Sequence, residues 1–216
     1  MTRVERDATL GKRRPVAEPI IRPYRPSDRA ECYDVCVRTG TAGDDARSVY
    51  SSDDLLPDIF CGPYLDLDAD SAFVVDTGER VAGYVIAASD TREFVRRYQT
   101  EVLPVFAARY PLVAHPASAE DFMVILGHTP ERMLIPQLDD YPAHLHIDLL
   151  PEVQGLGLGR RLIETLRTSL AARGIRGVHL VMDAANTPAR AFYDRIGFVE
   201  LPTDDESVAV LGIHTA

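Results

Sequence analysis

The strongest constraint on the fold is a glycine-rich stretch between two apolar runs in the last third of the chain. The stretch PEVQGLGLGRRL, residues 151–162, places three glycines in five residues directly before a helical pattern. The runs AHLHIDLL before it and VHLVMDA after it have the composition of β-strands. A strand, a helix and a second strand in this order predict a right-handed crossover that joins two parallel strands.

The helix that follows the glycines predicts what the loop binds. Its apolar stripe consists of Leu162, Ile163, Leu166, Leu170 and Ala171. We expect Gly174 to end this helix. A helix N-terminus carries free backbone N–H groups and a partial positive charge, so a glycine loop leading into it predicts an anion site such as a phosphate cradle. A tight strand-to-helix turn is the alternative, but a turn needs only one or two glycines.

A second pattern competes for the same loop. The dinucleotide fingerprint G-x-G-x-x-G, if started at Gly155 and Gly157, has Arg160 where the third glycine belongs. Asp183 lies at about the distance expected for an acidic residue that binds a ribose. An NAD-binding enzyme therefore stays open as a weaker alternative.

Two motifs at their proper separation resemble the GNAT family of N-acetyltransferases. The first is Q-x-x-G-x-G, beginning at Gln154. The second is N-x-x-A-x-x-x-Y-x-x-x-G-F, formed by Asn186, Ala189, Tyr193, Gly197 and Phe198. A narrower resemblance, to the acetyltransferase-like domain at the C-terminus of eukaryotic O-GlcNAcase and its free-standing bacterial relatives, is carried by IRPYRPSD, REFVRRYQTEVLPVFAARYP, HLHIDLLPE and FYDRIGF…VLGIHT.

The resemblance implies an α/β (α+β) GNAT fold, a mixed and mostly antiparallel sheet flanked by helices, with splayed parallel strands 4 and 5. It also implies acetyl-CoA as co-substrate, with its pyrophosphate on the glycine loop and its pantetheine arm between the splayed strands. The implied binding residues are Leu149, Leu150, Gln154, Gly155, Leu156, Gly157, Leu158, Gly159, Arg160, Asn186 and Tyr193. The implied reaction is direct transfer of acetyl to a primary amine, without a metal. A non-catalytic acetyl-CoA-binding module is the alternative.

Acetyl transfer needs a neutral amine and benefits from a proton donor for the departing thiolate. Tyr193 is our candidate donor, with a packed structural aromatic as the alternative. Asp148 stands in an otherwise apolar strand, where a carboxylate is costly to bury unless it is paired or used. Strand alternation places Asp148, His146 and His144 on one face. Asp148 is the candidate general base and His146 the second choice; a structural hydrogen bond is the alternative for either. Asn186 also suits a helix cap.

The chain has 216 residues and no internal repeat, so we expect one domain over 19–216 after a mobile tail at 1–18. Ahead of the glycine loop, the sequence predicts a strand from Ile20, a helix over 28–39 ended by Gly40, a short helix near 53–60, and a hairpin turning at 77–80. Residues 90–142 read as a helical insert, which we expect to cover the acceptor site. A helix over 187–198 and a strand over 207–214 end the chain.

A formal charge of −10 disfavours nucleic acid and anionic membranes as partners. Neither a signal peptide nor a membrane span is predicted, and three cysteines without further metal-ligand spacing suggest buried free thiols in a cytoplasmic protein. The identity of the acceptor amine and the oligomeric state, a homodimer included, are left open.

Overall fold

A computed structural model describes residues 18–41 and 43–216. Its seven strands are β1 Ile20–Pro23, β2 Ala72–Asp76, β3 Val81–Ala88, β4 Ala143–Leu149, β5 Gly177–Asp183, β6 Val199–Leu201 and β7 Val208–His214. Its α-helices are α1 Arg29–Arg38, α2 Leu55–Phe60, α3 Gly62–Leu67, α4 Thr91–Arg97, α5 Leu103–Arg109, α6 Ala119–His128, α7 Leu158–Ala172 and α8 Thr187–Arg195. The predicted tail lies, except for Glu18, outside the described residues.

All seven strands form one sheet in the order β1-β2-β3-β4-β5-β7-β6. The pair β4–β5 is parallel and every other neighbouring pair is antiparallel. This confirms the predicted fold class, a mixed and mostly antiparallel sheet flanked by helices. The parallel pair results from the crossover through α7, as the order of strand, helix and strand predicts.

The core lies on both faces of the sheet around β3, whose eight residues are all buried. Helix α7 packs against β2 and β3, and helices α1 and α3 also contact β3. The buried stripe of α7 contains the four predicted aliphatic residues and Leu158, whereas Ala171 is exposed. Gly174 follows the helix with a φ of +75°, which agrees with its predicted role.

The first helix differs from the prediction at both ends. A 3₁₀ turn, Pro26–Asp28, precedes α1, and the carboxylate of Asp28 accepts from Arg22 and from the backbone N–H of Arg25 instead of capping the helix. At the other end α1 stops at Arg38, and Gly40 is not in the left-handed conformation. A Cβ on Gly40 would lie 2.4 Å from Leu56, so close packing explains this glycine.

The insert is helical, as predicted, and the helical backbone continues from α4 through Pro104 into α5. A π-helical turn, Tyr98–Val102, joins α4 directly to α5. Because proline lacks an N–H and its ring displaces the carbonyl four residues earlier, a wider turn just before it keeps the helix continuous. Among the described helices, none is long and apolar enough to cross a membrane.

Candidate active site

The parallel strands β4 and β5 pair only at their first residues, Ala143 with Val178 and His144 with His179. Beyond these pairs the strands separate, and the sheet opens into a cleft with a volume of about 860 Å³. The loop before α7, one face of α8 and residues that follow α1 complete its walls. The cleft thus opens where the splayed strands were predicted.

The glycine loop lies at one end of the cleft with its backbone exposed. Gly155 and Gly157 have φ values of +73° and +74°, and Gly157 is the N-cap of α7. Within the described part of the chain, no backbone N–H of residues 155–160 donates to a protein acceptor. Gly159 is needed for packing, since a Cβ there would lie 3.2 Å from Phe192 and 3.3 Å from Leu149. The loop therefore offers several N–H donors at the positive end of a 15-residue helix.

The other residues implied for acetyl-CoA binding divide into two groups. Those that line the cleft are Leu149, Gln154, Gly155, Gly157, Leu158, Gly159, Arg160, Asn186 and Tyr193. Gln154 fixes the end of β4, because its Nε2 donates to the carbonyl oxygen of Leu149 at 2.8 Å. Leu150 does not reach the cleft: its side chain is fully buried and its N–H donates to Ala82. Leu156 is exposed and is not part of the cleft wall.

Asp148 lines the cleft beside a buried tyrosine. The hydroxyl of Tyr84 on β3 donates to Asp148 Oδ2 at 2.5 Å, across the antiparallel pair that these two residues form. Burial raises the pKa of Asp148, and the hydroxyls of Tyr84 and Thr39 lower it in part. A carboxyl group that lines a cleft and has a raised pKa is suited to accept a proton.

Tyr193 is the one buried residue of α8, and its ring lines the cleft. Its hydroxyl has no hydrogen-bond partner among the described residues, and burial together with the nearby charge of Asp148 raises its pKa. The side chain is therefore protonated at neutral pH and can donate. Asn186 caps α8 through a 3.1 Å bond from the N–H of Ala189, so its predicted capping role is confirmed. Phe192, the residue before Tyr193, is half-buried and also lines the cleft.

His146 also lines the cleft, on the same face of β4 as Asp148. Its Nε2 lies 3.0 Å from the hydroxyl of Tyr64 on α3, and that hydroxyl lies 2.8 Å from Nε2 of the buried His144. Burial and the charge of Arg132 lower the pKa of His146 to about 3. An imidazole with so low a pKa is neutral at physiological pH and is a weak base.

No residue of 90–142 lines the cleft; the insert instead packs behind it, with Phe94 stacked on Tyr64 at 4.6 Å between ring centroids. Three residues after α1 line the cleft instead, namely Thr39, Gly43 and Asp44. That the insert covers the acceptor site stays a prediction.

Comparison with known proteins agrees with this geometry. Residues 140–208 match the family described as FR47-like protein. The crystal structure of SsHAT is 50% identical, covers 92% of this chain and 98% of its own, and superposes with a TM-score of 0.87. Protein O-GlcNAcase from Rattus norvegicus is 24% identical over 198 residues, 89% of this chain. The chain belongs to the GNAT family of acetyltransferases.

Two limits follow from how much of each relative is matched. The chain covers only 22% of the length of O-GlcNAcase, so the resemblance concerns one portion of that protein. Mycothiol acetyltransferase from Paenarthrobacter aurescens is 41% identical, but only over 58 residues, 27% of this chain and 18% of its own length. The GNAT assignment therefore establishes the fold, the enzyme class and acetyl-CoA as the family's co-substrate, and it leaves the acceptor open.

Sequence reasoning missed three contributors to this GNAT cleft, namely Tyr84, Tyr64 and Thr39. Tyr84 had a usable signal, because it is the one polar side chain in the apolar run VAGYVIAA and a buried tyrosine hydroxyl seeks a partner. Tyr64 and Thr39 had none, since each reaches the site only through tertiary packing.

Proposed function

We propose that this protein transfers the acetyl group of acetyl-CoA to a primary amine by direct attack. One observation supports the proposal. The cleft between the splayed strands is lined both by a loop of unpaired N–H donors and by the polar side chains of Asp148 and Tyr193. The donors suit a pyrophosphate, and the pair suits the two proton movements of acetyl transfer.

The glycine loop is where the pyrophosphate of acetyl-CoA fits. Gly155 and Gly157 present N–H groups that no side chain shields, since nothing lies within 4 Å of the Cβ position of either residue. Arg160 is exposed at the same end of the cleft and adds a positive charge. The gap between β4 and β5 then gives the extended arm of the co-substrate a path toward Asp148.

Strand β4 supplies N–H donors for the carbonyl oxygen. Hydrogen bonds of an antiparallel strand alternate in direction from one residue to the next. The N–H of Leu150 donates to Ala82 of β3, so the N–H of Asp148, two residues earlier, also faces β3. The N–H groups of Ile147 and Leu149 must then face the gap left by β5. Donors aimed at the position where negative charge develops stabilise a tetrahedral intermediate.

The proton transfers balance with two side chains. As the amine nitrogen bonds to the carbonyl carbon, Asp148 accepts a proton from that nitrogen. The carbon–sulfur bond then breaks, and Tyr193 gives its proton to the departing thiolate. Solvent returns one proton from Asp148 to Tyr193, so the net reaction converts an amine and a thioester into an amide and a thiol.

The cysteines argue against a covalent acetyl-enzyme on a thiol. Cys32, Cys36 and Cys61 are buried and unpaired, and burial raises the pKa of each thiol, to about 12 for Cys32. None of the three lines the cleft. A buried thiol with a raised pKa is a poor nucleophile, which favours direct attack by the amine.

Calorimetric titration with acetyl-CoA, with dephospho-CoA, desulfo-CoA and NAD as comparisons, tests this function first. We expect micromolar binding of acetyl-CoA and none of NAD, since the mostly antiparallel sheet differs from the parallel sheet of dinucleotide-binding folds. An amine panel read by thiol release then tests turnover. Tight acetyl-CoA binding without turnover of any amine would identify a non-catalytic binding module.

A further inference from the structure

A chain of hydrogen bonds runs from a backbone carbonyl to the cleft. The hydroxyl of Thr91 lies 2.7 Å from the carbonyl oxygen of Pro142 and 2.8 Å from His144 Nδ1. His144 Nε2 lies 2.8 Å from the hydroxyl of Tyr64, which lies 3.0 Å from His146 Nε2. Both histidines belong to β4, and the first is buried whereas the second lines the cleft.

The carbonyl sets the direction of every bond in this chain. A carbonyl oxygen cannot donate, so the 2.7 Å contact requires the hydroxyl hydrogen of Thr91 to lie between the two oxygens. That hydroxyl must then accept from His144, which places the hydrogen of His144 on Nδ1. A neutral imidazole carries one N–H, so Nε2 of His144 is an acceptor and receives the hydrogen of Tyr64.

The same reasoning determines which nitrogen of His146 carries its hydrogen. Because the single hydrogen of Tyr64 points at His144, its oxygen accepts the hydrogen of His146 Nε2. Nδ1 of His146 therefore holds a lone pair. No described residue contacts this nitrogen within hydrogen-bond distance, and it is not one of the buried polar atoms without a partner. This nitrogen therefore keeps exposed surface, on a side chain that lines the cleft.

We propose that the chain Pro142–Thr91–His144–Tyr64 fixes His146 in its Nε2–H tautomer, so that its Nδ1 is a second acceptor, beside Asp148, for the N–H groups of the substrate amine. Thr91, His144 and Tyr64 are positioning residues. The role in amine binding rests on the proposed function, whereas the tautomer does not.

This arrangement selects for primary amines. His146 and Asp148 are two residues apart on one face of β4, so their acceptor atoms border the same part of the cleft. A neutral primary amine has two N–H groups, one for each acceptor, and its lone pair is then free to face the acetyl carbon. A secondary amine has one N–H and leaves one acceptor without a partner. Because burial and the charge of Arg132 lower the pKa of His146 to about 3, the imidazole stays neutral while it accepts.

The tautomer is measured directly by long-range ¹H–¹⁵N correlation spectra of the full-length protein labelled on its histidines. We expect His144 to carry its hydrogen on Nδ1 and His146 on Nε2, unchanged between pH 8 and 5. Hydrogen on Nδ1 of His146, or an averaged signal from both tautomers, would overturn the assignment. Tyr64→Phe should convert the His146 signal to an averaged one; Tyr98→Phe removes a different buried hydroxyl, bonded to Gly127, and should leave it unchanged.

The amine role is measured with a panel of primary amines and their N-methyl derivatives, with thiol release as the readout. We expect the wild-type protein to prefer primary amines in kcat/KM by roughly tenfold, the worth of about one hydrogen bond. His146→Phe should remove that preference while the Kd for acetyl-CoA is unchanged. Turnover of primary and secondary amines alike by the wild type overturns this inference and leaves the proposed function standing. Failure to turn over any amine refutes both amine roles, while the spectra still decide the tautomer.

Discussion

Two parts of the chain contribute to the cleft in different ways. Residues 143–214, the backbone side, contribute mainly backbone groups: a loop of glycines, the N-terminus of α7 and the gap between two strands. Residues 18–142, the side-chain region, contribute mainly buried side chains from separate elements, such as Tyr64, Tyr84 and Thr91, which hydrogen-bond to residues of β4. The first contribution comes from residues that are adjacent in the sequence, whereas the second forms only when distant residues pack together in the folded chain.

The largest effect is expected on the backbone side, from Gly157→Val. A β-branched residue at a φ of +74° is strained, and its methyl groups would stand among the loop N–H donors, so the Kd for acetyl-CoA should rise roughly a hundredfold or more. Gly174→Val is the matched control. It lies at the other end of α7 with a φ of +75° and equally open surroundings, so it should cost similar stability without weakening binding. Equal losses of affinity in the two variants would mean that strain alone explains the result.

Tyr193→Phe tests whether the same side also supplies chemistry. Loss of a general acid typically lowers the rate by about 10²–10⁴-fold, and we expect kcat to fall into this range while the Kd for acetyl-CoA changes little. Steady-state kinetics and calorimetry on one preparation measure the two quantities. An unchanged kcat from pH 6 to 9 would remove Tyr193 as the proton donor and leave it as a packed aromatic.

This contrast explains how much of the molecule could be predicted. The glycine loop, the helix cap at Asn186 and the crossover could be predicted, because each depends on neighbouring residues. Glycines permit a positive φ, an Asn side chain can cap a helix, and the spacing of apolar residues indicates helix or strand. The role of residues 90–142 was not readable: their helical period is local, but what they cover depends on packing. The short helix α3, Gly62–Leu67, was missed for the same reason, although it carries Tyr64.

Three histidines with lowered pKa values should make the protein sensitive to acid, namely His144 and His146 of the hydrogen-bonded chain and His179 on β5. Burial lowers the pKa of His146 to about 3 and of His179 to about 4, and lowers that of His144 as well. Above pH 6.5 these imidazoles are neutral in both the folded and the unfolded chain, so they do not make the free energy of unfolding depend on pH. Below it, the unfolded chain binds protons that the folded chain excludes, so each imidazole should cost about 1.4 kcal/mol of stability per pH unit. Denaturant unfolding at pH 7.5, 6.0 and 5.0 measures the free energy of unfolding; a constant value would contradict the burial of neutral imidazoles.

Tyr84→Phe tests the contact across β3 and β4. The Tyr84 hydroxyl stabilises the charged form of Asp148 and so lowers its pKa; burial alone would raise it further. Removing the hydroxyl should therefore move the acid limb of the kcat/KM profile to higher pH and reduce kcat/KM several-fold near neutrality. Asp148→Asn should abolish that limb. If the acid limb stayed in place in Tyr84→Phe while Asp148→Asn was inactive, Asp148 would act without help from Tyr84.

The smallest effect is expected where the loop between α1 and α2 meets helix α6 of the insert. Ser51 donates to the carboxylate of Glu120 from its N–H at 2.8 Å and from its hydroxyl at 2.5 Å, which ties residues 43–54 to the insert. Residues 43 and 44 line the cleft that also contains Asp148, so Glu120→Ala should raise KM for the amine about two- to threefold and leave the Kd for acetyl-CoA unchanged, since exposed contacts contribute at most about 1 kcal/mol. Glu131→Ala, which removes a bond to Gln99 inside the insert, is the matched control and should change neither value. If Glu120→Ala weakened acetyl-CoA binding instead, the insert would act on the backbone side of the cleft, and the separation between the two regions would fail.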